Sequence, residues 1–79
     1  MERKPRDLDP DFLKRLDILD AAEAAAYLRT STSTLAKYRM TGRGPEFIRQ
    51  SARKTLYRRA DLDAWLDARA RRTTYQGAA

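Results

Sequence analysis

Seventy-nine residues make one small domain, and a chain this short buries only about 60% of the surface its unfolded form exposes. There is no cysteine and no histidine, which excludes disulfides, zinc-finger chemistry and Cys or His catalysis; no cofactor is expected. No run approaches the roughly 18 apolar residues of a membrane span, and Met1-Glu2-Arg3-Lys4-Pro5 lacks a signal peptide's apolar stretch, so a cytoplasmic protein with no membrane partner is expected. The net charge of +6 and pI near 10.2 point to a polyanion.

The charge is unevenly placed. Residues 1–28 carry five basic and seven acidic side chains, residues 29–59 nine basic and one acidic, and residues 60–79 three of each. A strongly basic centre beside an acidic segment describes a binding face with a back. Most of the central cations are arginines, whose planar fork suits phosphates and guanine edges.

In chain order, residues 1–17 read as a flexible arm holding a short helix. Asp9-Pro10 forms a cap followed by a first-turn proline, with Phe12, Leu13 and Leu16 on the turn that follows. Ile18-Leu19 is short enough to be a small strand or an anchoring contact. Asp20 and Glu23 form a D-x-x-E capping box ahead of the alanine-rich helix 21–28, whose small side chains admit a close neighbour.

Arg29-Thr30 breaks the pattern, and Ser31 caps a second helix, Thr32 to about Thr41, with Leu35 and Tyr38 on its inner face. Gly42 and Gly44-Pro45 stop it. Phe47–Gln50 and Thr55–Arg58 read as strands, and the tip between them, without Gly, Asn or Asp, predicts a long, loose loop. A last helix is expected over about 61–71, with Leu62, Trp65 and Leu66 as its apolar stripe and Arg69, Arg71 and Arg72 at its negative end. Residues 73–79 read as a disordered tail. The fold class is mainly α with a small β-hairpin, and the folded domain is expected over residues 18–72.

Two short helices with a tight turn, the second opening on small polar residues, match the demands of the B-DNA major groove, which accepts one helix. The candidate groove contacts are Ser31, Thr32, Ser33, Thr34, Lys37 and Arg39. A basic ribbon directly afterwards is a wing, with Arg49, Arg53, Lys54 and Arg58 as its candidate contacts to a minor groove or to phosphates. Arg29, Arg43 and Arg59 complete the set as backbone contacts. The same features have plainer uses: a Ser/Thr cluster caps a helix, and charge protects an edge hairpin from aggregation.

Residues 18–28, Ser31-Thr32-Ser33-Thr34-Leu35, Gly42-Arg43-Gly44-Pro45, Phe47-Ile48-Arg49 and residues 57–66, taken in order, resemble the excisionase-type winged helix-turn-helix family, related to the DNA-binding domain of MerR-type regulators. The resemblance covers about residues 18–70. It implies a small double-stranded-DNA binder of a phage or mobile element, in the bacterial cytoplasm and on the nucleoid when bound. Such a protein acts as an excisionase (a recombination directionality factor beside an integrase of the tyrosine recombinase class) or as a small transcription regulator. It implies Thr32, Ser33 and Lys37 in the major groove, Arg53 and Lys54 in the minor groove, and Asp61–Leu66 as a packing helix. Arg29-Thr30 stands where the family has a glycine and an aliphatic residue, which predicts a differently built turn.

Tyr27, Tyr38, Phe47, Tyr57 and Trp65 read as core rather than as stacking platforms, and Tyr75 is left open. No enzymatic activity is expected, because most of the acids sit at helix starts, where capping explains them. A protein-binding adaptor using the acidic N-terminal stretch is the second class. The protein is expected to be monomeric in solution and to associate side by side on tandem DNA sites, through contact between its acidic stretch and its basic surfaces. Residues alone leave the target sequence, the recombinase and the choice between excisionase and regulator undecided.

Overall fold

A computed structural model of the chain describes residues 9–72. Over these residues the order is α1 (Pro10–Leu13), β1 (Ile18–Asp20), α2 (Ala21–Tyr27), α3 (Thr32–Thr41), β2 (Ile48–Ser51), β3 (Lys54–Arg58) and α4 (Arg59–Arg72). Residues 1–8 of the N-terminal arm and the tail 73–79, with Tyr75, lie outside the described residues.

The Asp9-Pro10 start operates as expected: proline opens α1, and the Leu13 N–H donates to the Asp9 carbonyl at 2.9 Å. One turn suffices to drive Leu13 into the core, where it is 1% exposed, while Phe12 on the same turn stays largely in solvent. Of the two roles open to Ile18-Leu19, the strand is realised. β1 pairs antiparallel with β3, Leu19 opposite Tyr57, and the sheet order is β1-β3-β2. Alternation along β1 and β3 turns Leu19, Thr55 and Tyr57 inwards. The core comprises Leu13, Leu19, Ala24, Ala25, Leu35, Tyr57 and Leu62, one or two from each of six elements, with Leu16, Tyr27, Leu28 and Tyr38 packed around it.

The hairpin tip differs from the loose loop expected. Ala52-Arg53 is a tight two-residue turn, with Ser51 opposite Lys54. Gln50 is the reason: the register shifts between Arg49 and Ser51, so the misfit of a glycine-free turn is absorbed in the strand. The Arg53 N–H donates to Ser51 Oγ at 3.3 Å and helps to close the tip.

The last helix begins two residues earlier than expected, at Arg59, whose N–H donates to the Asp17 carbonyl at 2.9 Å. Its stripe is only partly buried. Leu62 is fully enclosed and Trp65 half-buried, but Leu66 is exposed. Phe47, expected in the core, sits at its edge, 39% exposed, and meets Tyr57 at 6.2 Å between ring centroids. Among the described residues no helix is long and apolar enough to cross a membrane.

Candidate nucleic-acid interface

The capping box sets the start of α2. The Asp20 N–H donates to Glu23 Oε1 and the Glu23 N–H to Asp20 Oδ1, both at 2.8 Å. Ala24 and Ala25, with almost no side chain to accommodate, admit α3 close alongside.

The turn between the helices is a Schellman motif. The Thr30 N–H donates to the Ala25 carbonyl at 2.8 Å and the Arg29 N–H to Ala26 at 3.1 Å, with Arg29 left-handed at φ 61°. Arginine therefore occupies a conformation that favours glycine, and its exposed side chain projects from the corner of the two helices. The end of α3 repeats the geometry with glycine: Gly42 has φ 75°, and the Arg43 N–H returns to the Tyr38 carbonyl at 3.1 Å.

At the start of α3 the four hydroxyl residues divide into two pairs. Ser31 Oγ accepts from the Thr34 N–H at 3.0 Å and donates to Thr34 Oγ1 at 2.9 Å, so these two close the cap. Thr32 and Ser33 are exposed, and Lys37 follows Ser33 by one turn, also exposed. Helical spacing extends that line to Met40, which is 85% exposed. Sequence reading passed over Met40; the signal available was its position seven residues after Ser33, opposite Leu35.

Arg39 lies on the inner side. Its Nη1 donates to the Tyr57 hydroxyl at 2.7 Å, which ties α3 to the central strand. Arg59 is likewise engaged: its guanidinium donates to the carbonyls of Lys14 and Leu16 and lies 3.8 Å from the Asp17 carboxylate, holding the segment after α1. The other seven central cations, Arg29, Lys37, Arg43, Arg49, Arg53, Lys54 and Arg58, are exposed.

On the hairpin, Arg49 Nη1 donates to Thr55 Oγ1 at 3.2 Å and its guanidinium lies over Phe47, 5.8 Å from the centroid. The tip folds back towards the helices. Arg53 and Lys54 share a shallow cleft with Asp20, Ala21 and Ala22 at the start of α2.

Tyr27 connects α2 to α4. Its hydroxyl donates to Asp63 Oδ1 at 2.5 Å, and this bond to a carboxylate, with burial adding to it, raises the phenol above its ordinary 10.0.

A helix with an exposed polar N-terminal turn, placed by a tight corner and followed by a basic two-stranded ribbon, is a winged helix-turn-helix. The helix-turn-helix domain model matches residues 18–70. The chain belongs to that family. A search of the curated proteins returned no match. For a helix-turn-helix domain the implied activity is DNA binding, with α3 as recognition helix and the β2–β3 hairpin as wing. The matched span excludes α1, although Leu13 belongs to the same buried core.

Proposed function

We propose that the chain is a sequence-selective binder of double-stranded DNA that acts as an excisionase, binding and bending attachment-site DNA so that a tyrosine recombinase is directed towards excision. The observation that carries the reading is the exposed row Thr32, Ser33, Lys37 and Met40 on α3, in one small domain with the exposed wing-tip cations Arg53 and Lys54. Thr32 and Ser33 supply short donors and acceptors for base edges, Lys37 reaches a guanine or a phosphate, and Met40 offers an apolar surface for a thymine methyl. Arg53 and Lys54 hold the backbone or enter the neighbouring minor groove. Arg29, Arg43, Arg49 and Arg58 contact phosphates, whereas Arg39 and Arg59 act through the fold.

One recognition helix and one wing read too few base pairs to mark a site in a genome, so copies bind side by side on tandem sites. Asp9, Asp11 and Asp17 are exposed and so are the wing arginines, which leaves both kinds of surface available for contact between copies. Asp20 and Glu23 belong to the capping box and are not counted in this surface.

Footprinting across the genome tests the role. Protection at a recombination attachment site supports the excisionase, whereas protection confined to a promoter makes the chain a regulator. Titration with duplex DNA tests binding itself. If five to seven of the seven exposed central cations meet phosphates, log affinity falls against log salt with a slope of roughly −4.5 to −6, and a slope near zero rejects the reading.

A further inference from the structure

Helix α4 was expected to serve as packing, yet its Arg69 is held in an arrangement that packing does not require. The Arg69 guanidinium lies over the Trp65 ring, 4.7 Å from its centroid, and 5.8 Å from that of Tyr38. The two rings are 5.5 Å apart and tilted by 58°. Trp65 is fixed in turn, because its Nε1–H donates to the Arg43 carbonyl at 3.0 Å. One indole thus joins α4 to the loop after α3 and sets two arginines, 26 positions apart in the chain, on the same cleft.

That cleft has a volume of about 490 Å³ and is lined by Gly42, Arg43, Gly44, Trp65, Ala68 and Arg69. No carboxylate lines it, and among the described residues neither guanidinium is paired with one. Two like charges at one concavity repel each other until an anion enters. A guanidinium held by its face keeps its N–H groups, which lie in its plane, available for a planar or tetrahedral oxyanion. Gly42 presents no side chain, and the space above its Cα is open, so the cleft is unobstructed on that side.

The position of the cleft identifies the anion. Gly42 is the end of α3, a helix of ten residues and hence about 15 Å long. Its polar N-terminal turn is the end that enters a major groove about 12 Å wide, so its other end arrives at the bordering sugar–phosphate strand. We propose that Arg43 and Arg69 form a clamp for one phosphodiester of the DNA backbone, with Trp65 as its positioning residue. The clamp rests on the DNA-binding reading above and adds to it a contact from the last helix. It adds to the wing a second sequence-independent contact, which helps to fix the register of the recognition helix on the duplex.

The sequence contains a single tryptophan, so fluorescence excited selectively in the indole reports on this cleft. The experiment uses the full chain, random-sequence duplexes and iodide as an anionic quencher. In the parent, saturating duplex is expected to shield Trp65 from iodide. Arg69→Gln is expected to melt as cooperatively as the parent and to reduce the steepness of the log–log salt slope by about 1, equally on every sequence. Arg43→Gln, on an exposed loop outside α4, should flatten the slope by the same amount. A parent that binds duplex while iodide still reaches Trp65 freely, or an Arg69→Gln variant with the parent's slope, overturns the clamp and leaves the DNA-binding reading standing. A parent with no salt-dependent duplex binding overturns that reading and the clamp with it.

Discussion

Replacing Arg29 by glycine should make the protein more stable. Holding an L-residue in the left-handed region costs roughly 1–2 kcal/mol, and Arg29 sits there at φ 61°. Glycine removes that cost but gives the unfolded chain more freedom, which returns about 0.5–1 kcal/mol. The two hydrogen bonds of the turn, at 2.8 and 3.1 Å, are backbone to backbone and survive the change. The expected gain is therefore about 0.5–1 kcal/mol, or a rise of about 2–8 °C in the melting midpoint of a domain this size. Thermal melts followed by circular dichroism measure it. Arg29→Ala should melt close to the parent, since alanine keeps the conformation and its cost. Gly42→Ala supplies the mirror experiment. A Cβ there meets nothing within 4 Å, so the loss of about 1 kcal/mol it should show is conformational alone. An Arg29→Gly protein that melts at or below the parent would refute the reasoning about this turn. The same variant should lose duplex affinity that Arg29→Lys retains, which would give the strained arginine its purpose at the corner of the two helices.

Lys37→Ala and Thr32→Ala should each weaken specific binding by roughly 1–3 kcal/mol and random binding less, while Arg53→Ala and Lys54→Ala weaken both evenly; equal losses in all four would separate helix and wing from these roles. Leu13→Ala should cost about 2–5 kcal/mol, which is most of what a domain this small has, and so abolish cooperative melting. A parent-like melt would place Leu13 outside the core. Tyr27→Phe should cost about 1.5 kcal/mol near neutral pH, where the parent phenol is protonated and donates to Asp63. Because folding raises the phenol above 10.0, that difference is constant below pH 10 and disappears as pH climbs through the raised value; urea titrations of both proteins from pH 7 to 11 would show it, and a gap that widens instead would contradict the assigned donor.

The features that were legible in the sequence are local ones. Asp20 and Glu23, Ser31 with Thr34, and Gly42 each act within four residues of themselves, and each does in space what its spacing implies. The exposed face of α3 follows from placing Leu35 inwards and counting helical turns. What was not legible depends on partners far along the chain. Arg59 was counted with the basic surface, but three groups between Lys14 and Asp17 take up its guanidinium, more than forty positions away. Arg39 carries no local sign that the Tyr57 hydroxyl lies within 2.7 Å. Trp65 read as a core residue because bulk and spacing are visible, whereas the carbonyl of Arg43 that it reaches is not. The tip of the wing was misjudged for a different reason, since the usual glycine was sought in the turn and Gln50 relieves the geometry in the strand instead. A boundary at residue 17 also separates Leu13 from its core, so removing residues 1–16 would test stability before it tested any contact between copies.

The place of β3 in the sheet has a consequence for how the protein comes into being. It is the central strand, yet both its neighbours precede it in the chain, and its Tyr57 receives Leu19 on one side and the Arg39 guanidinium on another. A chain emerging N-terminus first therefore presents α1, β1, α2 and α3 before the strand on which they assemble exists. Closing the β1–β3 ladder brings together residues 18 and 58, a long loop for so small a domain, and only the contacts that follow offset its entropy. Chains that stop short of residue 54 contain all of α3 but lack the central strand on which the core assembles. A chain ending at residue 53 is therefore expected to lack the cooperative melt of the whole one, because the strand that joins β1 to β2 is missing.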